Sequence, residues 1–401
     1  MLRSIPPVLT VIALLCVFAL PAAAQGPREA TLVKRAILGA EATAPAPFPG
    51  APNTDPAPAP DSTQPIGGFS ALLDAPGKDT YWAMPDNGFG SKANSRSFLL
   101  RVYRVRADWE TAHGGGGRVE ILDWITLRDP DELIPFAIVT EGSEQRLLTG
   151  GDLDLESLRV ARDGTLWFGE EFGPFLVHTD ARGRVLDAPI PARGVRSPDY
   201  PGLPAGRSNL GRSNGFEGMA LSQDGKTLYP ALEGPLATDA DQRRRQIFEF
   251  DVRSERYTGR RWQYRLEDPG YLISDFTALD EHRFVVLERD NGEGAAARHK
   301  QAFVIDLRKV GPGGFLVKRE VLDLLKLRDP ALISPPARPG DIGIGNPFSM
   351  PYVTIESVLP VGGNRLAIVN DTNFGSRGRN PNLPDYSDFI VVRVPALRDH
   401  H

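Results

Sequence analysis

A short phrase recurs five times along this chain and limits what it can fold into. An apolar residue, then Glu, Ser or Thr, then a small residue, then another apolar residue appears as Phe69-Ser70-Ala71-Leu72, Leu155-Glu156-Ser157-Leu158, Phe216-Glu217-Gly218-Met219, Phe276-Thr277-Ala278-Leu279 and Ile355-Glu356-Ser357-Val358. Twelve to sixteen residues after the second position of each copy, an alternating apolar strand ends in Asp86, Glu171, Glu233, Arg289 and Asp371 respectively. A fixed phrase at a period near sixty residues, each copy opening a pair of strands, is the sequence form of a radial β repeat. The expected fold is all-β, a propeller with five clear repeats and a sixth blade drawn either from the long gap between Ser70 and Glu156 or from the two chain ends.

A longer duplication supports the repeat, because residues 127–171 match residues 327–371 at an offset of two hundred. Leu127-Arg128-Asp129-Pro130 mirrors Leu327-Arg328-Asp329-Pro330, and Glu156 and Glu171 keep register with Glu356 and Asp371. A shortened third copy, Leu266-Glu267-Asp268-Pro269, makes this connection long in two repeats and short in another, which marks a variable rim. With 41 Gly and 36 Pro the chain suits many short strands and turns, and helical periodicity reaches only two short rim segments, 130–137 and 322–327.

Ahead of the repeats, Arg3 precedes an apolar run from Val8 to Leu20 and a small-residue site at Ala22-Ala23-Ala24, the pattern of a secretory signal over residues 1–24. No segment reaches the length of a membrane span once that leader is removed. The single cysteine, Cys16, lies within the leader, so disulfide and thiolate chemistry is excluded for the remainder. Residues 25–66 read as an N-terminal strand, Thr31 to Leu38, followed by a Pro/Ala-rich tether; residues 67–401 read as a single propeller domain. Pairing of that strand with the segment Phe389 to Val394 would close the ring and remove two free sheet edges. The formal charge of −5 carries no nucleic-acid footprint, and a periplasmic or extracellular monomer is expected.

Equivalent positions in successive blades form rings about an axis. Glu156, Glu217 and Glu356, with Ser70 and Thr277, are expected in one ring, and Asp86, Glu171, Glu233 and Asp371 in another. Carboxylates crowded in this way repel unless protons or a cation neutralise them. Oxygen-only ligands select hard cations, Ca²⁺ first and Mg²⁺ second, so Asp86, Glu156, Glu217, Glu356 and Asp371 are the candidate metal ligands. A Glu opening an inner strand could equally cap backbone N–H groups of its neighbour. Asn87 and Asn373 could add amide oxygens to a cation. Lys92, Arg289 and Arg377, with Arg96 and Arg379 nearby, place cations beside the acids and suit an anionic substrate. The six histidines fall outside the repeated phrases and read as surface or turn residues.

The combination of Gly68-Phe69-Ser70-Ala71-Leu72 with Asp86-Asn87-Gly88, Leu155-Glu156-Ser157-Leu158 with Gly169-Glu170-Glu171, Asn214-Gly215-Phe216-Glu217-Gly218 with Glu233-Gly234-Pro235, and Ile355-Glu356-Ser357 with Asn370-Asp371 resembles the phytase-like propeller family, described as having esterase-like activity of phytase. The resemblance implies a secreted or periplasmic propeller hydrolase. On that reading an acid-bound Ca²⁺ polarises a phosphoester or ester, Glu171 or Glu233 acts as base, and Lys92, Arg289 or Arg377 holds a small anionic or ester substrate. A lactonase-type metal-dependent hydrolase and a non-catalytic binding propeller are compatible with the same residues.

Overall fold

The computed structural model describes residues 29–398; the expected signal segment 1–24 and Cys16 lie outside the described residues. Strand β1 (Thr31–Leu38) is followed by a small hairpin of β2 (Thr43–Pro45) and β3 (Thr63–Pro65). Four-stranded antiparallel sheets then follow in chain order. The first holds β4 (Phe69–Asp74), β5 (Thr80–Pro85), β6 (Arg101–Asp108) and β7 (Arg118–Thr126). The second holds β8 (Leu155–Val160), β9 (Leu166–Glu170), β10 (Phe175–Thr179) and β11 (Ile190–Pro191). The third is β12 (Phe216–Leu221), β13 (Thr227–Leu232), β14 (Arg244–Asp251) and β15 (Arg256–Arg265). The fourth is β16 (Leu272–Ala278), β17 (Arg283–Arg289), β18 (Lys300–Val310) and β19 (Leu316–Asp323). The fifth runs β20 (Thr354–Pro360), β21 (Arg365–Asp371) and β22 (Ser387–Arg393), takes β1 from the other end of the chain as its fourth strand, and through a parallel pairing of β1 with β7 at Ile37 and Arg118 joins the first sheet in one eight-stranded sheet.

The first strand of each sheet touches the first strand of the next, in the closed order β4, β8, β12, β16, β20 and back to β4. Apolar cores fill the seams between neighbouring sheets. Leu100 and Val102 pack with Leu158 and Phe168, Trp167 and Leu176 with Phe216 and Phe248, and Tyr264 with Phe284 and Val286. Val285 and Leu287 pack with Val358 and Ile368, and Phe69 and Tyr81 with Ala367 and Phe389. Because each blade is covered on both faces, its second strand reads as an unbroken apolar run such as Phe284-Val285-Val286-Leu287, whereas the outer strand β15 exposes Arg256, Arg260 and Arg265 along its edge. Both sources expected for a sixth blade are otherwise engaged: the gap after Ser70 supplies β5 to β7, and the chain ends complete the fifth sheet.

The rim segments expected as short helices are not helical. Residues 130–137 form turns in which Glu132 adopts φ 57°, and the Asp129 carboxylate accepts from Leu133 N at 2.8 Å and Ile134 N at 3.2 Å. Asp329 repeats the device on Ile333 N and Ser334 N, with Leu332 at φ 50°, so the duplication seen in sequence is a duplication of structure. Residues 322–327 continue β19 to Asp323 and then turn.

Candidate metal centre on the propeller axis

A β-bulge places each carboxylate of the repeated phrase. The ladder between the first and second strands skips one residue between Phe69 and Ala71, Leu155 and Ser157, Phe216 and Gly218, and Ile355 and Ser357. The skipped residues are Ser70, Glu156, Glu217 and Glu356. A bulge residue is left out of regular pairing and its side chain is re-aimed. In the fourth sheet the skip falls between Ile273 and Asp275, so Ser274 holds the bulge, while Thr277 pairs regularly with Val285. The copy that keeps the phrase's place is therefore Ile273-Ser274-Asp275-Phe276, and the expected ring member Thr277 is replaced by Ser274.

The second ring follows from the same register. Phe69, Leu155, Phe216, Ile273 and Ile355 pair with Pro85, Glu170, Leu232, Glu288 and Asn370, and the next residue in each case is Asp86, Glu171, Glu233, Arg289 or Asp371. The two rings merge into one network. Glu156, Glu217 and Glu356 bring carboxylate oxygens within 4.8 Å of one another, and so do Asp86, Asp154 and Glu156. These buried acidic clusters could hold a metal ion.

Hydrogen bonds satisfy part of the network. Arg289 Nη2 donates to Glu233 Oε1 at 3.2 Å and to Glu356 Oε1 at 3.3 Å, and Ser70 Oγ donates to Glu356 Oε2 at 3.2 Å. Asn214 Nδ2 donates to Glu233 Oε2 at 2.8 Å. Asp371 accepts from Thr354 Oγ1 at 3.1 Å and from Asn373 N at 2.7 Å, and Asp86 accepts from Gly88 N at 2.8 Å. Three oxygens are buried without a hydrogen-bond partner: Asp154 Oδ1, Glu171 Oε1 and Glu217 Oε1. Such orphaned acceptors are uncommon in a folded interior, and three of them among crowded acids fit a hard cation.

Burial, then the charge of neighbouring acids, pushes the carboxyls of Asp86, Glu156, Glu171 and Glu217 well above the usual range. Burial and the Asp371 charge raise Glu356 to about 8, and burial raises Asp154 to about 6. Glu233 and Asp371 are raised by burial against the opposing pull of Arg289. Burial of Arg289 would favour loss of its proton, but Glu356, Glu233 and Glu217 together outweigh it and hold the charge.

Of the residues expected at a site, the structure gathers Asp86, Glu156, Glu171, Glu217, Glu233, Arg289, Glu356 and Asp371 in this network. Lys92 is half-buried with its Nζ 4.9 Å from the centroid of the Phe172 ring, and Arg377 is exposed, its backbone N–H donating to Glu293 Oε2 at 3.2 Å. Arg96 pairs with exposed Asp55 at 2.9 Å. Arg379 is buried against Tyr352 and Asp388. The Asn87 Oδ1 accepts from Gly90 N and Ser95 Oγ, so it serves its own loop.

Sequence reasoning missed Asp154, which sits two residues before Glu156, the spacing that keeps two side chains on one side of a strand. It also missed Glu170, whose carboxylate accepts from Asp154 N at 3.2 Å, Phe172 N at 2.7 Å and Gly173 N at 2.8 Å and so holds the turn that presents Glu171.

Among the described residues no helix is long and apolar enough to cross a membrane. A protein of Arthroderma benhamiae described as an uncharacterized secreted protein is 24% identical over an alignment covering 55% of this chain and 56% of that one, so the chain spans little more than half of that relative's length. Among solved structures, a GH43 β-1,3-galactosidase matches 86% of this chain and 59% of its own at 10% identity and a TM-score of 0.42. A PQQ-bound aldose sugar dehydrogenase from Streptomyces coelicolor matches 82% and 95% at 12% identity and a TM-score of 0.33. Likeness at this level says nothing of chemistry. The phytase-like family, described as esterase-like activity of phytase, matches residues 64–374, a span that holds every acid of the axial network, and the chain belongs to that family.

Proposed function

We propose that this chain is an exported, metal-dependent hydrolase of phosphoester or ester bonds, with Ca²⁺ as the resident cation. The observation that carries the reading is the axial network, in which Glu156, Glu217 and Glu356 converge while Glu217 Oε1, Glu171 Oε1 and Asp154 Oδ1 lack any hydrogen-bond donor. Asp86, Asp154, Glu156, Glu217, Glu356 and Asp371 are the residues that would hold the ion, all through oxygen. A bound divalent cation supplies Lewis-acid polarisation of a phosphoryl or carbonyl oxygen and makes a bound water more acidic.

The protein's own groups divide the remaining work. Glu171 has one oxygen without a partner, which suits it to take a proton from an attacking water, whereas both oxygens of Glu233 are engaged by Arg289 and Asn214. Arg289 opposes the upward shift of the Glu233 and Glu356 carboxyls from inside the network. Lys92 and Arg377, on the loops that follow β5 and β21, are the cations left to meet a substrate anion. Export is supported by the leader-like segment before residue 25 and by the secreted relative.

A purely structural acidic core is the competing reading, favoured by the chain of bonds from Ser70 through Glu356 and Arg289 to Glu233. Elemental analysis of the purified protein, with hydrolysis assays on phosphomonoesters, carboxyl esters and lactones in calcium and in chelator, separates the two. Bound calcium with chelator-sensitive turnover is the expected result. A metal-free protein that hydrolyses none of these substrates would overturn the proposal.

A further inference from the structure

Away from the axis, one histidine is buried in an unusual state. His178 of β10 is 9% exposed, and neither ring nitrogen has a hydrogen-bond partner. Its ring lies flat on Trp167, with centroids 4.0 Å apart and planes 11° from parallel, so packing fixes the plane in which its nitrogens point. The other stacked, buried histidine, His299, contrasts with it. His299 lies on Tyr271 in the same manner, but its Nε2 meets Glu288 Oε2 at 3.3 Å. An orphaned buried imidazole in a protein that satisfies its counterpart calls for an explanation, and a bound ion supplies one.

Two carboxylates face it. Asp187 Oδ2 lies 3.7 Å and Glu255 Oε1 3.5 Å from His178 Nδ1, beyond hydrogen-bond reach, and all three atoms lie within 4.8 Å of one another. Tetrahedral zinc with bonds of about 2.0–2.1 Å sets neighbouring ligand atoms roughly 3.3–3.4 Å apart. The two nitrogen-to-oxygen separations are therefore close to the edges of such a polyhedron. The carboxylate side chains are 53% and 34% exposed, free to close the remaining tenths of an ångström.

We propose that His178, Asp187 and Glu255 form a second cation site, distinct from the axial acids, that takes a first-row transition ion, with Zn²⁺ the fitting occupant. One imidazole nitrogen with two carboxylate oxygens is a zinc donor set and a poor calcium one, because Ca²⁺ draws six to eight oxygens. Solvent can complete the coordination on the side where Asp187 is exposed. Asp187 lies between β10 and β11 of the second blade, and Glu255, held at φ 53°, lies in the turn between β14 and β15 of the third. The ion would thus tie neighbouring blades together outside the axis.

The test is calorimetric titration of the purified protein with Zn²⁺ after stripping with chelator and resaturation with Ca²⁺, which occupies the axial acids. One Zn²⁺ per chain is expected. Asp187→Asn and Glu255→Gln should each weaken it by about tenfold or more, since even groups that merely support zinc ligands are worth that much. Both side chains are partly exposed, so the melting temperature without zinc should not move. His178→Gln should abolish binding; as it also removes the Trp167 stack, the carboxylate variants decide the matter. No zinc uptake by the calcium-loaded parent, or parental affinity in both carboxylate variants, overturns the site, and neither outcome depends on whether the axial centre hydrolyses anything.

Discussion

Arg35 grips Asp388 through two parallel hydrogen bonds, Nε to Oδ1 at 2.8 Å and Nη2 to Oδ2 at 3.0 Å, joining the first described strand to the last within a fully buried pair. Tyr352 Oη and Arg379 Nη2 donate to the same Asp388 Oδ2, at 2.9 and 3.2 Å. This cluster locks the strand that closes the ring. Removing one partner of a buried pair strands the other charge and costs about 3–5 kcal/mol. Arg35→Ala should therefore lose that much in urea unfolding, and Arg35→Lys should recover little of it, because an ammonium cannot reproduce the two-point contact. A loss under about 1 kcal/mol, the range of exposed pairs, would mean that β1 is not needed to hold the fifth blade.

Chelation should make stability pH-dependent. Glu356 has an ordinary value of 4.5 and is raised to about 8 in the fold, so between those limits the metal-free folded chain binds more protons than the unfolded one. Stability of the chelated protein should fall as pH rises from about 4.5 to about 8. Saturating Ca²⁺ replaces the shared protons and should raise the melting temperature most at the upper end of that window. Melting curves at pH 5 and pH 8, with and without calcium, check both signs, and the same small calcium effect at both would sink the idea.

Arg289 and a bound cation compete for the same acids. Arg289→Met leaves Glu233 and Glu356 without their internal positive charge, so the metal-free variant should be less stable at pH 8 by on the order of 3 kcal/mol. With that charge gone, calcium should bind more tightly. Calorimetric titration of both proteins measures the change, and weaker calcium binding in the variant would place Arg289 in a supporting role for the metal.

The axial acids are legible in the chain because the bulge repeats. Where the reading slips, in the fourth repeat, Ile273-Ser274-Asp275-Phe276 and Phe276-Thr277-Ala278-Leu279 both satisfy the phrase, and ladder register selects the first. Spacing carried the answer: Ser274 precedes Arg289 by fifteen residues, like Glu156 before Glu171 and Glu356 before Asp371, whereas Thr277 precedes it by twelve. Asp154 was visible as a same-side partner of Glu156 but lacks a counterpart in the first and third repeats, where Gly68 and Gly215 occupy that place. His178 could not be placed from sequence, since its burial depends on Trp167 of the adjacent strand and its carboxylate neighbours on turns of two blades. The rim helix expected over 130–137 failed because the Asp129 carboxylate binds the Leu133 and Ile134 N–H groups that a helix would have used locally, and the one over 322–327 because β19 runs on to Asp323.

Glu171 and Arg377 test catalysis from opposite sides. Glu171 is buried with a free oxygen beside the cluster, so Glu171→Gln keeps its shape and removes its ability to take a proton. If it activates water, kcat should fall by roughly 10²–10⁴ with bound calcium unchanged. Loss of calcium together with activity would instead make it a ligand. Arg377 is exposed and no ion pair holds it among the described residues, so Arg377→Ala should leave the melting temperature within error. A raised KM on a phosphorylated or acidic substrate, with kcat preserved, is the expected signature of an anion contact made equally in ground and transition states. Parental kinetics in both variants, on every substrate the parent hydrolyses, would remove Glu171 and Arg377 from the reaction and leave the loops after β9 and β21 without a catalytic role.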